Sequence, residues 1–204
     1  MDSRFTGGTF KLLLLLAALY LGTIFSLGIA YPWLACLVYR WEIKNTVING
    51  KKQYFDGKGA DLFKNYIKWL LLTIVTLSVY KLWLSRNVMV WKVSHTHFEG
   101  EDKKISCYSC RISEKVIMLI KYYALKIGTL TLGSSWADCY KMRWTLEHTA
   151  IDGQRLTYNA KGLDYLGKLA LTVMLIIVTA GIFILWTPVF LKKYEVKHTA
   201  LSIA

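Results

Sequence analysis

Slid along itself by 103 residues without a gap, this 204-residue chain superposes Trp33 on Trp136, Cys36 on Cys139, Arg40 on Arg143, Trp41 on Trp144, Thr46 on Thr149 and Gly50 on Gly153. The same shift carries Lys58-Gly59 onto Lys161-Gly162, Asp61 onto Asp164, Trp83 onto Trp186 and His95-Thr96 onto His198-Thr199. A shift of 50 lays Thr23 on Thr73, Trp33 on Trp83, Trp41 on Trp91 and Thr46 on Thr96. The chain is a duplication of a duplication, four copies of a unit of about 50 residues, so its fold must repeat one supersecondary element. The two half-repeats are 1–103 and 104–204.

Each unit opens on an apolar block. Residues Leu12 to Val38 carry no charge, a run longer than the roughly 20 residues a helix needs to cross a bilayer. Further blocks lie at Ile67 to Leu84, Val116 to Tyr140 and Leu169 to Phe190; the third is interrupted by Lys121, Lys126 and Asp138. With 54% hydrophobic residues and a mean hydropathy of +0.34, the composition is that of a membrane protein. The Trp of each unit marks the place where a helix would meet the headgroups. Beyond it the sequence changes to short alternating stretches around Asn49-Gly50 and Asp152-Gly153, dipeptides that favour a type I′ hairpin turn, with Glu99-Gly100 a weaker third case. The expected fold is therefore an all-α membrane protein with small β-hairpin extensions: four transmembrane helices, each followed by a hairpin arm, the last arm truncated.

The stretch Trp41-Glu42-Ile43-Lys44-Asn45-Thr46-Val47-Ile48-Asn49-Gly50-Lys51-Lys52, then Phe55-Asp56-Gly57-Lys58-Gly59, Tyr66-Ile67-Lys68-Trp69-Leu70-Leu71-Leu72-Thr73 and Trp91-Lys92-Val93-Ser94-His95-Thr96-His97, resembles the YjgN-like family of bacterial inner-membrane proteins of unknown function. The resemblance implies a multi-pass location in the bacterial inner membrane and supplies no activity. Copy three departs from it most, having lysines in its apolar block and no Tyr-Pro-Trp step.

Orientation is open on the sequence. Arg40, Lys44, Lys51 and Lys52 follow the first block, and Arg86, Lys92, Lys103 and Lys104 follow the second, so the distribution of basic residues picks no cytoplasmic side. One arrangement is a four-span bundle; another bends each unit back at its Leu-Gly or Leu-Ser step, which puts every hairpin on one side. Lys81 and Arg86 fit a helix emerging from lipid better than a buried return leg, which favours the four-span bundle.

Lys and Arg number 26 against 13 Asp and Glu, a formal charge of +13 that calls for anionic partners: lipid headgroups, a nucleotide or oligonucleotide, or a permeating anion. No HExxH, P-loop, GxSxG or GxGxxG motif is present, so no catalytic residue, metal or cofactor is assigned and no enzyme activity is expected. His95, His148 and His198 recur at one repeat position, where they are expected to serve the fold as strand residues. Cys107 and Cys110 form a lone CxxC with no second ligand pair.

In the third block Lys115, Tyr122, Lys126, Thr129 and Gly133 share one helical stripe. A mid-block ammonium must face protein or water, so Lys115, Tyr122, Lys126 and Thr129 are the candidate lining of an anion-conducting pore in a homo-oligomer; a shallow interfacial helix with snorkelling lysines is the competing account. Arg40, Lys44, Lys51, Lys52, Arg143 and Arg155, near Trp41, Tyr54, Trp144 and Tyr158, are the candidate site for a gating nucleotide or oligonucleotide. The alternatives are a non-conducting membrane scaffold that binds anionic lipid and, third, a secondary transporter.

Overall fold

The computed structural model describes residues 2–76, 80–100, 104–129 and 133–202. Each of the four units is a strand, a 17-residue helix, a reversal, a second helix and a strand. Unit one comprises β1 (Arg4–Phe5), α1 (Thr9–Phe25), α2 (Tyr31–Lys44) and β2 (Thr46–Ile48). Unit two comprises β3 (Lys51–Phe55), α3 (Gly59–Val75), α4 (Lys81–Ser94) and β4 (Thr96–Phe98). Unit three comprises β5 (Cys107–Tyr108), α5 (Ile112–Gly128), α6 (Ser134–Glu147) and β6 (Thr149–Ile151). Unit four comprises β7 (Gln154–Tyr158), α7 (Gly162–Val178), a 3-10 turn (Ile182–Leu185), α8 (Thr187–Lys197) and β8 (Thr199–Leu201).

The first and last strands of every unit pair antiparallel, and hairpins join β2 to β3 and β6 to β7, giving two four-stranded sheets in the orders β1-β2-β3-β4 and β5-β6-β7-β8. Both turns have the two positive φ angles of type I′, 50° and 79° at Asn49 and Gly50, 48° and 80° at Asp152 and Gly153. The third expected hairpin does not form among the described residues. Gly100 has φ 81°, yet β4 pairs with β3 and β5 with β6, so no ladder crosses between the half-repeats. Strands are a structural layer here, and the expectation of an all-α protein with small extensions is corrected accordingly.

The four-span expectation is also overturned. Among the described residues no helix is long and apolar enough to cross a membrane. The longest, at 17 residues, extend about 25 Å, short of a hydrocarbon core about 30 Å thick. With the spans fall the transmembrane channel, the transporter and the multi-pass location.

Hydropathy missed a reversal inside each apolar block. At the end of the first helix of each unit a hydroxyl donates to the carbonyl four residues back and accepts the N–H four residues on: Ser26 between Gly22 and Ala30, Thr129 between Leu125 and Gly133, Thr179 between Leu175 and Phe183. Thr76 does the same between Leu72 and Tyr80. In units one and four a left-handed pair follows, Leu27 at φ 50° with Gly28 at 90° and Ala180 at 50° with Gly181 at 90°. The Gly28 N–H closes on Thr23 O and the Gly181 N–H on Ile176 O, both at 2.7 Å, the six-residue bond of a Schellman C-cap. The observed path is the bend at the Leu-Gly step that the sequence left open. The Leu-Ser step of unit two, Leu77-Ser78, and residues 130–132 of unit three lie outside the described residues. Arg86, which argued for an emerging span, instead donates to Cys110 O at 2.6 Å.

The units close into a ring, with α2 against α3, α4 against α5, α6 against α7 and α8 against β1. One aromatic contact recurs at equivalent positions. Phe5 and Phe55 meet Trp41 and Trp91 edge to face, each pair with centroids 5.6 Å apart, and Tyr108 and Tyr158 pack near Trp144 and Tyr194. Strands lie at the ends of every unit and helices run out and back, so the sheets occupy one end of the ring and the four helical reversals the other.

Gly181→Ala places a Cβ at φ 90° and is expected to cost about 1–2 kcal/mol in chemical unfolding. Gly167→Ala, inside α7 with nothing within 4 Å of the new methyl, should gain up to about 1 kcal/mol. Equal effects would show that the reversal is not held by its left-handed residue.

Candidate functional site

The ring axis carries a polar cluster assembled from equivalent positions. Thr46, Thr96, Thr149 and Thr199 are all buried, and each hydroxyl donates to the carbonyl four residues earlier, at 2.8, 2.8, 2.8 and 2.9 Å. Those carbonyls belong to Glu42, Lys92, Thr145 and Glu195, one position repeated four times. Lys92 Nζ lies 2.6 Å from Glu42 Oε2, and Lys192 Nζ lies 2.6 Å from Glu42 Oε1 and 3.9 Å from Glu195 Oε2. The pair is set deep in the fold, yet the Glu42 and Lys192 side chains keep 24% and 33% of their surface because they border a cavity of about 140 Å³. Into the same cavity faces Gln53, only 4% exposed, whose Nε2 has no hydrogen-bond partner among the described residues.

Burial works to raise the Glu42 pKa, but the Lys192 and Lys92 ammonium groups and their hydrogen bonds outweigh it and hold the carboxyl well below the usual range. Lys192 is pushed up: burial lowers it, and Glu42 with Glu195 more than compensates. Glu195 goes the other way, raised by burial, with Lys192 opposing and Glu42 and Asp138 adding to the rise. A carboxyl whose folded pKa is raised is a source of stability at low pH that is lost as pH rises through that pKa.

The opposite end of the ring is apolar. Phe25, Leu27, Val75, Ile127, Ile177 and Val178 cluster at the reversals and are mostly exposed, Leu27 by 93%. Trp33, Trp83, Trp136 and Trp186, near the start of each return helix, are all between 40 and 45% exposed. Charge divides the hairpins. Hairpins one and four carry none from 12 to 38 and from 169 to 191, whereas two and three carry Lys68, Lys81, Lys121 and Lys126. Neighbouring hairpins stand side by side, with Tyr31 against Tyr66 (centroids 5.4 Å apart) and Trp33 against Phe63 (4.9 Å).

The residues read as a pore line no membrane passage. Tyr122 is buried between α5 and α6, its hydroxyl donating to Asp138 Oδ1 at 2.9 Å and accepting from Lys126 Nζ at 3.2 Å. Lys115 Nζ donates to Ser85 Oγ at 2.8 Å, and Thr129 holds the third reversal. Tyr122 faces α6 and Lys115 faces α4, because helix pairing uses the same periodicity as a pore wall. Of the six basic residues read as a nucleotide site, three are engaged by other groups of the chain. Arg40 donates to Gly57 O at 3.3 Å, and Arg143 to Tyr158 O and Ala160 O at 3.3 and 3.1 Å, so both guanidinium groups tie strand ends to helices. Lys51 reaches Gln154 Oε1 at 3.1 Å across the sheets; Lys44, Lys52 and Arg155 are exposed.

His95, His148 and His198 are helix C-caps rather than strand residues. Their Nδ1 atoms lie 2.8, 2.7 and 2.9 Å from the carbonyls of Trp91, Trp144 and Tyr194, and Asn45 Nδ2 donates to Trp41 O at 2.7 Å at the fourth equivalent place. Cys107 is exposed and Cys110 buried, and among the described residues no group of His, Cys, Asp and Glu is disposed to hold a metal.

A second buried polar cluster went unread. His97 Nδ1 is 2.6 Å from Asp152 Oδ1, Asp152 Oδ2 accepts the Phe98 N–H at 2.7 Å, and Ser106 Oγ donates to Thr96 O at 2.8 Å while accepting the Asp152 N–H at 2.9 Å. Ser, His and Asp meet, but as a clasp joining the two sheets. The serine hydroxyl lies between the Thr96 carbonyl and Asp152 Oδ1, 3.4 Å from the latter, and Ser3 Oγ accepts the Asn49 N–H at 3.0 Å in the equivalent turn. The available signal was the exchange of Asn49 for Asp152 at equivalent positions.

Comparison with protein-family models, curated proteins and solved structures finds no match for this chain, so the YjgN-like resemblance rests on the residues that carry it.

Glu195→Gln keeps the shape and removes the ionisable group. The variant is expected to melt higher than the parent at pH 7.5, with the difference closing toward pH 4, where the parent carboxyl is protonated. Thermal unfolding at both pH values checks this; a variant less stable at pH 7.5 would mean that the Glu195 carboxylate supports the cluster.

Proposed function

We propose that the protein docks on one face of a lipid bilayer, its four hairpin tips entering a single leaflet and its sheets held outside, as a platform on which the axial cluster is positioned at the membrane surface. No segment crosses in this arrangement. The observation that carries it is the coincidence at one end of the ring of exposed apolar side chains flanking the reversals with four half-exposed tryptophans at equivalent positions. An apolar end bordered by tryptophans matches the order of acyl chains and headgroup region in a leaflet.

Magnitudes favour stable docking. Transfer of a large apolar side chain out of water is worth about 1.5–3 kcal/mol, so the six exposed side chains named above contribute on the order of 10 kcal/mol. That far exceeds the marginal hold of a single myristoyl chain. Lys68, Lys81, Lys121 and Lys126 reach toward phosphates along hairpins two and three, while hairpins one and four, without charge, seat deeper. The net charge of +13 directs the protein to anionic lipid.

The test is flotation with vesicles of phosphatidylcholine and phosphatidylglycerol after detergent removal. The parent should float, more completely as the anionic fraction rises. Leu27→Asp combined with Ile182→Asp, both at exposed tip positions, should leave most of the protein in the dense fraction with its circular dichroism unchanged. Equal flotation of parent and variant would refute leaflet insertion. A parent that stays dense as a discrete multimer would show that the tips bury against further copies of this chain.

A further inference from the structure

Glu42 and Lys192 border two cavities at once. On one side is the axial cavity with Gln53. On the other is an apolar groove of about 250 Å³ between hairpins one and four, walled by Leu12, Leu16, Val38, Trp41 and Pro188. The groove is smaller than the roughly 300–1,000 Å³ of ordinary ligand pockets, which suits one narrow chain rather than two. Donor capacity remains on Lys192, which borders both cavities, and on Gln53, which borders the axial one. An ammonium has three N–H groups, and Lys192 places one on Glu42 with Glu195 at 3.9 Å; the Gln53 Nε2 donors are unpartnered among the described residues. An unfilled donor in a buried site costs about 1–3 kcal/mol unless something accepts from it.

We infer that the groove and the axial cavity together bind a single-chain carboxylate amphiphile of the fatty-acid type, its chain along Leu12, Leu16, Val38 and Pro188 and its headgroup between Lys192 and Gln53. A monoanion is what the charge balance accommodates. Lys92 and Lys192 each lie 2.6 Å from the single Glu42 carboxylate, while Glu195 stands off at 3.9 Å from Lys192, so the close contacts set two ammonium groups against one carboxylate. The internal duplication supplies a control, because Leu156 stands where Gln53 does in the other half and lines the same cavity. Delivery of such a ligand rests on the hairpins facing lipid as proposed above, whereas the binding geometry does not.

Trp41 in the groove wall gives a direct readout. Protein in phosphatidylcholine nanodiscs is titrated with 11-bromoundecanoate, and the quenching that disappears in Trp41→Phe is followed. Saturable quenching by the acid and not by 11-bromoundecanol is expected. Lys192→Met should raise the midpoint roughly tenfold or more and Gln53→Leu by several-fold, the scale of losing a charged and a neutral hydrogen bond. Equal quenching by the alcohol, or parental midpoints in both variants, would overturn the inference, as would displacement by millimolar acetate as effectively as by undecanoate. Vesicle flotation of the same variants separates the two failures: floating protein that does not bind overturns only the ligand site, and protein that binds without floating overturns only the docking.

Discussion

After seventeen residues of the first helix of each unit a serine or threonine hydroxyl takes the chain out of one helix and into the next, bonding the last turn behind it and an N–H ahead of it. In units one and four the same step also carries two left-handed residues, the second a glycine. Everything else follows from that short clasp. Because the helix turns back before it can cross a hydrocarbon core, its apolar residues must be covered by a partner helix on one side and by something outside the chain at the tip. Because the two helices of each unit run out and back between a first and a last strand, the strands gather at one end and pair, and the far helix ends gather at the other.

The ring is built by repetition and differentiated by a few exchanges at equivalent positions. Glu42, Lys92, Thr145 and Glu195 occupy one repeated position, and only as different residues do they form an ion cluster; four copies of any one charge there would repel. Gln53 stands against Leu156, and Asn49 against Asp152, which with His97 clasps the two sheets. Buried ions are expensive to desolvate and are weak stabilisers compared with apolar packing of the same volume. Their position on the axis, bordering a cavity, is the arrangement expected where polarity serves a ligand.

Much of this was legible before any coordinates. The two offsets exposed the fourfold repeat, and the Asn49-Gly50 and Asp152-Gly153 turns lie where the dipeptides put them because type I′ geometry leaves few other residues acceptable. Transmembrane spans were misread because hydropathy registers what a segment dissolves in and not the direction in which it runs. Leu12 to Val38 is continuous in composition and folded in half in space, and the Ser26-Leu27-Gly28 step that breaks it is three residues long. The axial cluster was not legible because Glu42, Lys92 and Lys192 lie far apart in sequence, each looking like an ordinary polar residue near the end of an amphipathic helix. Arg40 and Arg143 were read as ligand contacts for the converse reason: nothing in sequence separates a guanidinium that meets phosphate from one that ties down a strand carbonyl.

The most direct measurement is thiol accessibility at a hairpin tip in sealed vesicles. In a Cys107→Ser background, which removes the exposed native thiol, Leu27→Cys is probed with a membrane-impermeant maleimide added outside and, separately, enclosed within. Leaflet insertion predicts no reaction from either side, with full reaction once detergent is added, while Lys44→Cys, exposed at the sheet end, reacts from one side only. Reaction of the Leu27→Cys tip from the face opposite Lys44→Cys would mean that the hairpin crosses the bilayer, and reaction from the same face would mean that it never enters.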